Sequence, residues 1–243
     1  MLTYLLLDLL SVAVPLLFSF HKRLGFYRTW YAFWPAAFTT AAIFIVWDVA
    51  FTQRGVWGFN PHYLVGIEWF NLPLEEWLFF ICIPYACVFT YACLKTLVKR
   101  DYCESRTRSS TWVLAGALML VGVLNLDRAY TSSSFIATGL LLLAHLLVFK
   151  SSYLGKFYLA YVILLLPFLL VNGILTGSFL AEEVVWYNDE ENLALRIFTI
   201  PVEDFVYALL LVLLNVTIYE MLIARKTQNR SRREQTKDKR ILE

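Results

Sequence analysis

The sequence predicts an all-α integral membrane protein of seven transmembrane helices, arranged as two parallel three-helix repeats joined by a linking helix. Three observations carry this: a composition suited to lipid, seven apolar runs of spanning length, and one acidic segment that occurs twice. Of the 243 residues, 59% are hydrophobic and 16% charged, a balance that a water-soluble domain of this size does not reach. A helix crosses ~30 Å of hydrocarbon with about 20 residues. Runs near that length lie at 2–20, 30–51, 72–97, 110–126, 133–149, 153–175 and 200–223. The fourth and fifth are the shortest. Asp127 and Arg128 between them leave a single re-entrant hairpin as the alternative for that stretch.

The first run begins directly after Met1, with no basic region before it and no small-residue cleavage site, so it reads as a retained helix and not a signal peptide. Net charge is only +2, but basic residues near helix ends mark the cytoplasmic side. Lys22, Arg23, Arg28, Lys95, Lys99, Arg100, Arg106, Arg108, Lys150, Lys156 and the tail from Arg225 to Arg240 fall on one side, against Arg54, Arg128 and Arg196 on the other. This places the N-terminus outside and the C-terminus in the cytoplasm of a cell (inner) membrane, with connections 52–71 and 176–199 on the outer face. The tail is expected to be solvated and disordered, touching membrane lipids and no nucleic acid. Cys82, Cys87 and Cys93 in the third run and Cys103 after it read as free thiols. His21, His62 and His145 lie too far apart for a metal site, and His145 reads as an interhelical hydrogen-bonding group.

Residues 60–79, NPHYLVGIEWFNLPLEEWLF, align without gaps on 188–207, NDEENLALRIFTIPVEDFVY. Asn60 meets Asn188, Phe70 meets Phe198, Pro73 meets Pro201, Glu75 meets Glu203, Glu76 meets Asp204, Trp77 meets Phe205 and Phe79 meets Tyr207. Trp57 and Trp186 precede the copies one residue out of register, and Glu68 opposite Arg196 is a departure. The motif opens the third and seventh helices, which run in the same direction, so both copies sit at the outer end. The chain then divides into a first half (1–100), a linking helix (101–130), a second half (131–223) and a basic tail (224–243). The interface between halves is the natural place for a site.

Proline suits the first helical position, and acids in the first turn complement the helix dipole, so hydrated caps are the structural reading of one motif. Duplication favours a site, because dipole matching accepts several residue types and does not require the same slots twice. Neighbouring helical residues point about 100° apart, so only one acid of each motif faces inward. The identical first slot makes Glu75 and Glu203 the expected inward pair, with Glu76 and Asp204 as second choice. Carboxyls in a poorly hydrated site share a proton and can both give and accept one. Trp77, Phe79, Phe205 and Tyr207 follow the acids, as core residues or as rings that stabilise a cation. Asp48, beside Trp47, is either an interfacial acid or part of the site. Asn172 lies at similar depth, and Asp8, deeper in an apolar stretch, calls for a packing hydrogen bond.

PLEE at 73–76 and PVED at 201–204, in a seven-helix chain of two similar halves, resemble the small membrane-embedded lycopene cyclases, as does WDVAFTQRGVWGFN at 47–60. In that family the halves are separate subunits or, as here, one fused chain; in fungi they are joined to a phytoene synthase. The resemblance implies redox-neutral cyclisation. An acid protonates the end of lycopene, the next double bond attacks the resulting cation, and a base removes a proton to leave a β-ionone ring. It implies a polyene reaching the site from lipid, the four motif acids as catalytic groups, and no cofactor, since the GxGxxG of the unrelated flavoprotein cyclases is absent. The alternative class is a proton-coupled membrane carrier with paired carboxylates, but the cytoplasmic halves of the helices hold few polar residues beyond Asn215 and His145. A retinal protein lacks its lysine in 200–223. A diphosphate-processing enzyme has only NDEEN at 188–192 to offer, a loop whose acids are expected to be solvated.

Overall fold

The computed structural model describes residues 2–98 and 104–242; Lys99, Arg100 and Cys103 lie outside them. The chain forms helices α1 (Thr3–Phe18), α2 (Trp30–Gln53), α3 (Leu74–Leu97), α4 (Glu104–Leu124), α5 (Ala129–Ala144), α6 (Leu154–Leu175) and α7 (Val202–Leu242). A π-helical turn, His145–Phe149, extends α5. Among the described residues six helical stretches are long and apolar enough to cross a membrane: Phe26–Gln53, Leu74–Leu97, Arg106–Leu124, Ala129–Phe149, Leu154–Leu175 and Val202–Ser231. The 16 residues of α1 rise only about 24 Å. Their outward faces are apolar as well, with Leu17, Val46 and Leu166 exposed, which suits a bundle whose solvent is lipid.

One expectation fails at the end of the chain. The tail, expected to be disordered, continues α7 as helix to Leu242. Its Lys, Arg, Glu and Gln residues are good helix formers, and extending an existing helix needs no new nucleus.

Helix α3 stands at the centre, packed on α1, α2, α6 and α7, while α7 also packs on α2 and α5. Helix α4 lies on α5, where a Cβ at Gly139 would run into Met119. At the end away from the acidic motifs, Glu220 of α7 accepts from Lys95 (2.6 Å) and Tyr91 (2.8 Å) of α3, a buried charge kept by its partners. His145 Nε2 meets Thr217 Oγ1 at 2.9 Å, the interhelical role its sequence position suggests.

At the other end the loops form three two-stranded ribbons. Strands β2 (Glu68–Trp69) and β3 (Leu72–Pro73) make a hairpin leading into α3, and β5 (Arg196–Ile197) and β6 (Ile200–Pro201) make one leading into α7. The registers correspond, Glu68 opposite Pro73 and Arg196 opposite Pro201. Phe70 and Phe198 hold the same left-handed position in their turns (φ 51° and 56°). The prolines end the hairpins, so Pro73 is the N-cap of α3 and not its first helical residue. Strands β1 (Trp57–Phe59) and β4 (Val185–Tyr187) pair antiparallel, Trp57 with Tyr187, Gly58 with Trp186, Phe59 with Val185. The Asn60 N–H donates to Val184 O (2.8 Å) and the Asn188 N–H to Val56 O (2.9 Å). These contacts are all related by the spacing of 128 residues that separates Pro73 from Pro201.

Gly58 sits at the centre of the β1–β4 ribbon, and a Cβ there would overlap the Trp186 ring. Gly58→Val is expected to weaken the joint between the two loops that carry β1 and β4 by ~1–3 kcal/mol, the usual cost of overpacking. A fall in the thermal midpoint of the detergent-solubilised protein checks this; an unchanged midpoint would show that the ribbon bears no strain.

Candidate active site

The first acid of each motif faces its own loop. Glu75 Oε1 accepts the Val65 N–H at 2.6 Å, and Glu203 Oε1 accepts the Leu193 N–H at 2.8 Å and the Thr131 hydroxyl at 2.6 Å. Both carboxyls are fully buried, and each fastens the hairpin over the start of its helix. The second acid, about 100° round the helix, points into the bundle. The structure thus turns the slots opposite to expectation, because the loop ten residues upstream claims the first acid.

Glu76 and Asp204 line one cavity of about 580 Å³ between α1, α3, α6 and α7. Its walls come from apolar residues such as Leu10, Ile83, Leu164 and Leu211; Ser11 and Thr90, also on the wall, bond to carbonyls of their own helices at 2.7 and 2.8 Å. The acids are clustered at the loop end. Glu76 accepts from the Tyr4 hydroxyl, and Asp48 lies within hydrogen-bonding reach of Glu76. Asp48 Oδ1 accepts from Trp57 Nε1 and, at 3.4 Å, from Thr52. Asp204 accepts from Tyr130 (2.6 Å), Asn172 (2.6 Å) and Tyr187 (3.0 Å). Tyr187 belongs to the β4 loop, where burial and then the neighbouring Asp204 charge hold its phenol well above its ordinary pKa. It is therefore a neutral donor at physiological pH.

Rings close around these acids. Tyr130 and Tyr187 stack at 5.9 Å, Trp57 meets Tyr130 at 5.0 Å, and Tyr207 lies 6.2 Å from Trp57. Of the four aromatics expected behind the acids, Phe79 and Tyr207 line the cavity. Trp77 packs instead on Trp69 and Phe70, and Phe205 on Phe168. Both project from the side of the helix that the second acid leaves. Asp48 and Asn172, singled out by depth, do reach the site. Asp8 is buried beside Glu75 and its Oδ2 has no hydrogen-bond partner among the described residues, so the packing bond expected for that oxygen is not made.

Tyr4, Tyr130 and Tyr187 were not legible as site residues, since a tyrosine near a helix end passes for the aromatic belt. The acids of 188–192, expected to be solvated, are partly structural. Glu191 caps α5 through the Ala129 N–H (2.9 Å), and Asp189 pairs with Arg196 (2.8 Å).

A lipid-solvated helical bundle with acids and aromatic rings at one end of an apolar cavity defines a membrane protein equipped for proton chemistry on a hydrophobic molecule. The chain belongs to the lycopene cyclase family, whose model matches residues 1–94 and 127–222. The unmatched stretch between them carries the whole of α4. No curated protein and no solved structure matches the chain. Membership brings a role in carotenoid cyclisation, a hydrophobic carotenoid substrate and a membrane setting.

Replacing Glu75 or Glu203 by Ala leaves the partly buried Val65 or Leu193 N–H without its acceptor, at a cost of up to about 1–3 kcal/mol. We expect a lower thermal midpoint and faster proteolysis within 60–72 or 188–200, while the Gln variants, which keep an acceptor, stay close to the parent. Equal behaviour of Ala and Gln variants would show that the hairpins are held by other contacts.

Proposed function

We propose that the protein is a lycopene β-cyclase, an isomerase of the intramolecular lyase type that converts the ψ ends of lycopene to β-ionone rings by way of γ-carotene. One observation carries the reading: the second acids of both motifs, with Asp48, converge on a single apolar cavity ringed by aromatic side chains. Cyclisation needs a proton delivered to an alkene, shelter for a tertiary cation, and a base to remove a proton. A desolvated ring face stabilises a cation by ~2 kcal/mol or more, and Trp57, Phe79, Tyr130 and Tyr207 are placed for this. Glu76 and Asp204, with Asp48, are the proton-handling groups in this reading; Glu75 and Glu203 position the loops. Excluding water protects the cation from capture. Electrons are neither gained nor lost, so the chemistry itself calls for no redox cofactor.

The same reading treats the chain as seven crossings, with α1 as the first, and as two three-helix halves (α1–α3 and α5–α7) about an axis along the membrane normal, joined by α4. The shared spacing of the hairpins and the self-matching register of β1 and β4 support it. The N-terminus is outside and the C-terminus cytoplasmic. Reporter fusions within 60–68 and 189–192 are expected to read external, and fusions after Arg230 cytoplasmic. A cytoplasmic reading at either acidic loop would break the parallel arrangement.

Activity is tested with purified protein in lipid, given lycopene and neither flavin nor nicotinamide, with pigments separated by chromatography. We expect β- or γ-carotene from the parent. Glu76→Gln and Asp204→Asn should each lower ring formation by about 10²-fold or more, the scale of losing a positioned acid or base. Glu75→Gln and Glu203→Gln should retain most of it. The reverse order would return the proton chemistry to the first slot, and unchanged lycopene with parent protein would remove the cyclase reading.

A further inference from the structure

The two ends of the site repeat in geometry but differ in the groups that face the second acid. Resting on the cyclase reading, we propose that the Asp48–Glu76 carboxyl pair is the proton donor of ring closure and Asp204 the ionised base that completes it.

Each second-slot acid accepts from a tyrosine on the first helix of its half, Tyr4 for Glu76 and Tyr130 for Asp204. Each also meets a residue near the loop end of the half's middle helix. Here the halves part: α2 supplies Asp48, and α6 supplies Asn172. At Asp204, Tyr130 reaches Oδ1 while Asn172 and Tyr187 reach Oδ2. Three neutral donors on one carboxyl favour its charged form. The neighbouring acid, Glu203, is turned to Leu193 and Thr131. At Glu76 the partner is another carboxyl. Asp48 Oδ2 is buried with no donor among the described residues, although Trp57 and Thr52 serve its Oδ1. Two carboxylates that approach this closely cannot both be ionised without strong repulsion, and one shared proton supplies the hydrogen bond between them. Tyr207 stands among all three acids, so donor and base face one reaction space.

The steps balance. The shared proton adds to the terminal C=C of the ψ end, whose π pair becomes the new C–H bond and leaves a tertiary cation. The π pair of the next C=C forms the ring bond and moves the cation onto the ring. The C–H pair on the adjoining carbon becomes the new C=C, and its proton passes to Asp204. Return of that proton to Asp48–Glu76 resets the site.

The test uses full-length protein in lipid, with lycopene as substrate in deuterated buffer. Asp48→Asn, Glu76→Gln and Asp204→Asn are compared at equal amounts of inserted, monodisperse protein. Chromatography reads ring formation, and mass spectrometry reads deuterium in recovered lycopene. With Asp204→Asn, ring formation falls about 10²-fold while recovered lycopene gains deuterium, because the cation still forms and collapses back. With Glu76→Gln and Asp48→Asn, ring formation and exchange are lost together. Asp48→Asn is the sharpest of these, since it places in the first half the amide that the second half already carries. Where Asp204→Asn does not insert, Tyr187→Phe removes one donor from the base and is expected to lower ring formation with exchange retained. Exchange that survives in Asp48→Asn or Glu76→Gln, or vanishes in Asp204→Asn, overturns the assignment. Parent protein that leaves lycopene unchanged overturns the function itself, and the assignment with it.

Discussion

A carboxylate removed from water must be paired, hydrogen-bonded or protonated, and the hairpin end of this bundle is organised by that requirement. Glu75, Glu76, Glu203, Asp204 and Asp48 are all buried, and the first and second acids of the motifs are met in different ways. Loop N–H groups reach Glu75 and Glu203. Tyrosine hydroxyls and one amide reach Asp204, and a tyrosine and a neighbouring carboxyl reach Glu76. The hairpins need the first acids to seat them, and the helix starts they cover need the hairpins. The cavity in turn keeps its shape because the first acids are occupied elsewhere. Loop-facing and cavity-facing carboxyls thus differ by one residue in the chain and about 100° on the helix.

Much of the fold was legible because lipid imposes simple lengths and compositions. The long runs read at 30–51, 72–97, 153–175 and 200–223 correspond closely to α2, α3, α6 and the apolar part of α7. Two features escaped. The helix through the tail is set by propensity in a charged segment, where hydropathy is silent. The orientation of the motif acids is set by a loop that returns ten residues upstream, a tertiary contact with no periodicity of its own. Sequence reasoning assigned the inward face to the first slot, whereas the second slot is the one that lines the cavity. It also named Trp77 and Phe205, which pack outside the cavity, and passed over Tyr4, Tyr130 and Tyr187, whose hydroxyls hold the second acids. Asp48 and Asn172 were found by depth alone, since a polar side chain inside an apolar run is costly enough to signal a partner.

The β1–β4 ribbon explains how one cavity receives acids from two distant segments. Trp57 and Tyr187 are paired across it and both reach inward, Trp57 to Asp48 and Tyr187 to Asp204. The ribbon is therefore more than a clasp between loops. It sets the spacing of the two acid clusters and carries the donors that stabilise them. Gly58, opposite Trp186, permits the close approach.

Duplication by itself would yield two equivalent acids, and equivalent acids make a poor acid–base couple. Proton transfer in one direction needs a group that holds its proton and another that has lost it. Changing the motif acids is a coarse way to obtain that difference, since Glu and Asp titrate within about half a unit of each other in water. Changing their neighbours is more effective. Asp48 in one half and Asn172 in the other face the second acids with a carboxyl and an amide, and the β4 loop adds Tyr187 on one side only. A nearly symmetric scaffold thereby holds an asymmetric site, with the asymmetry lodged in residues outside the motif that identifies it.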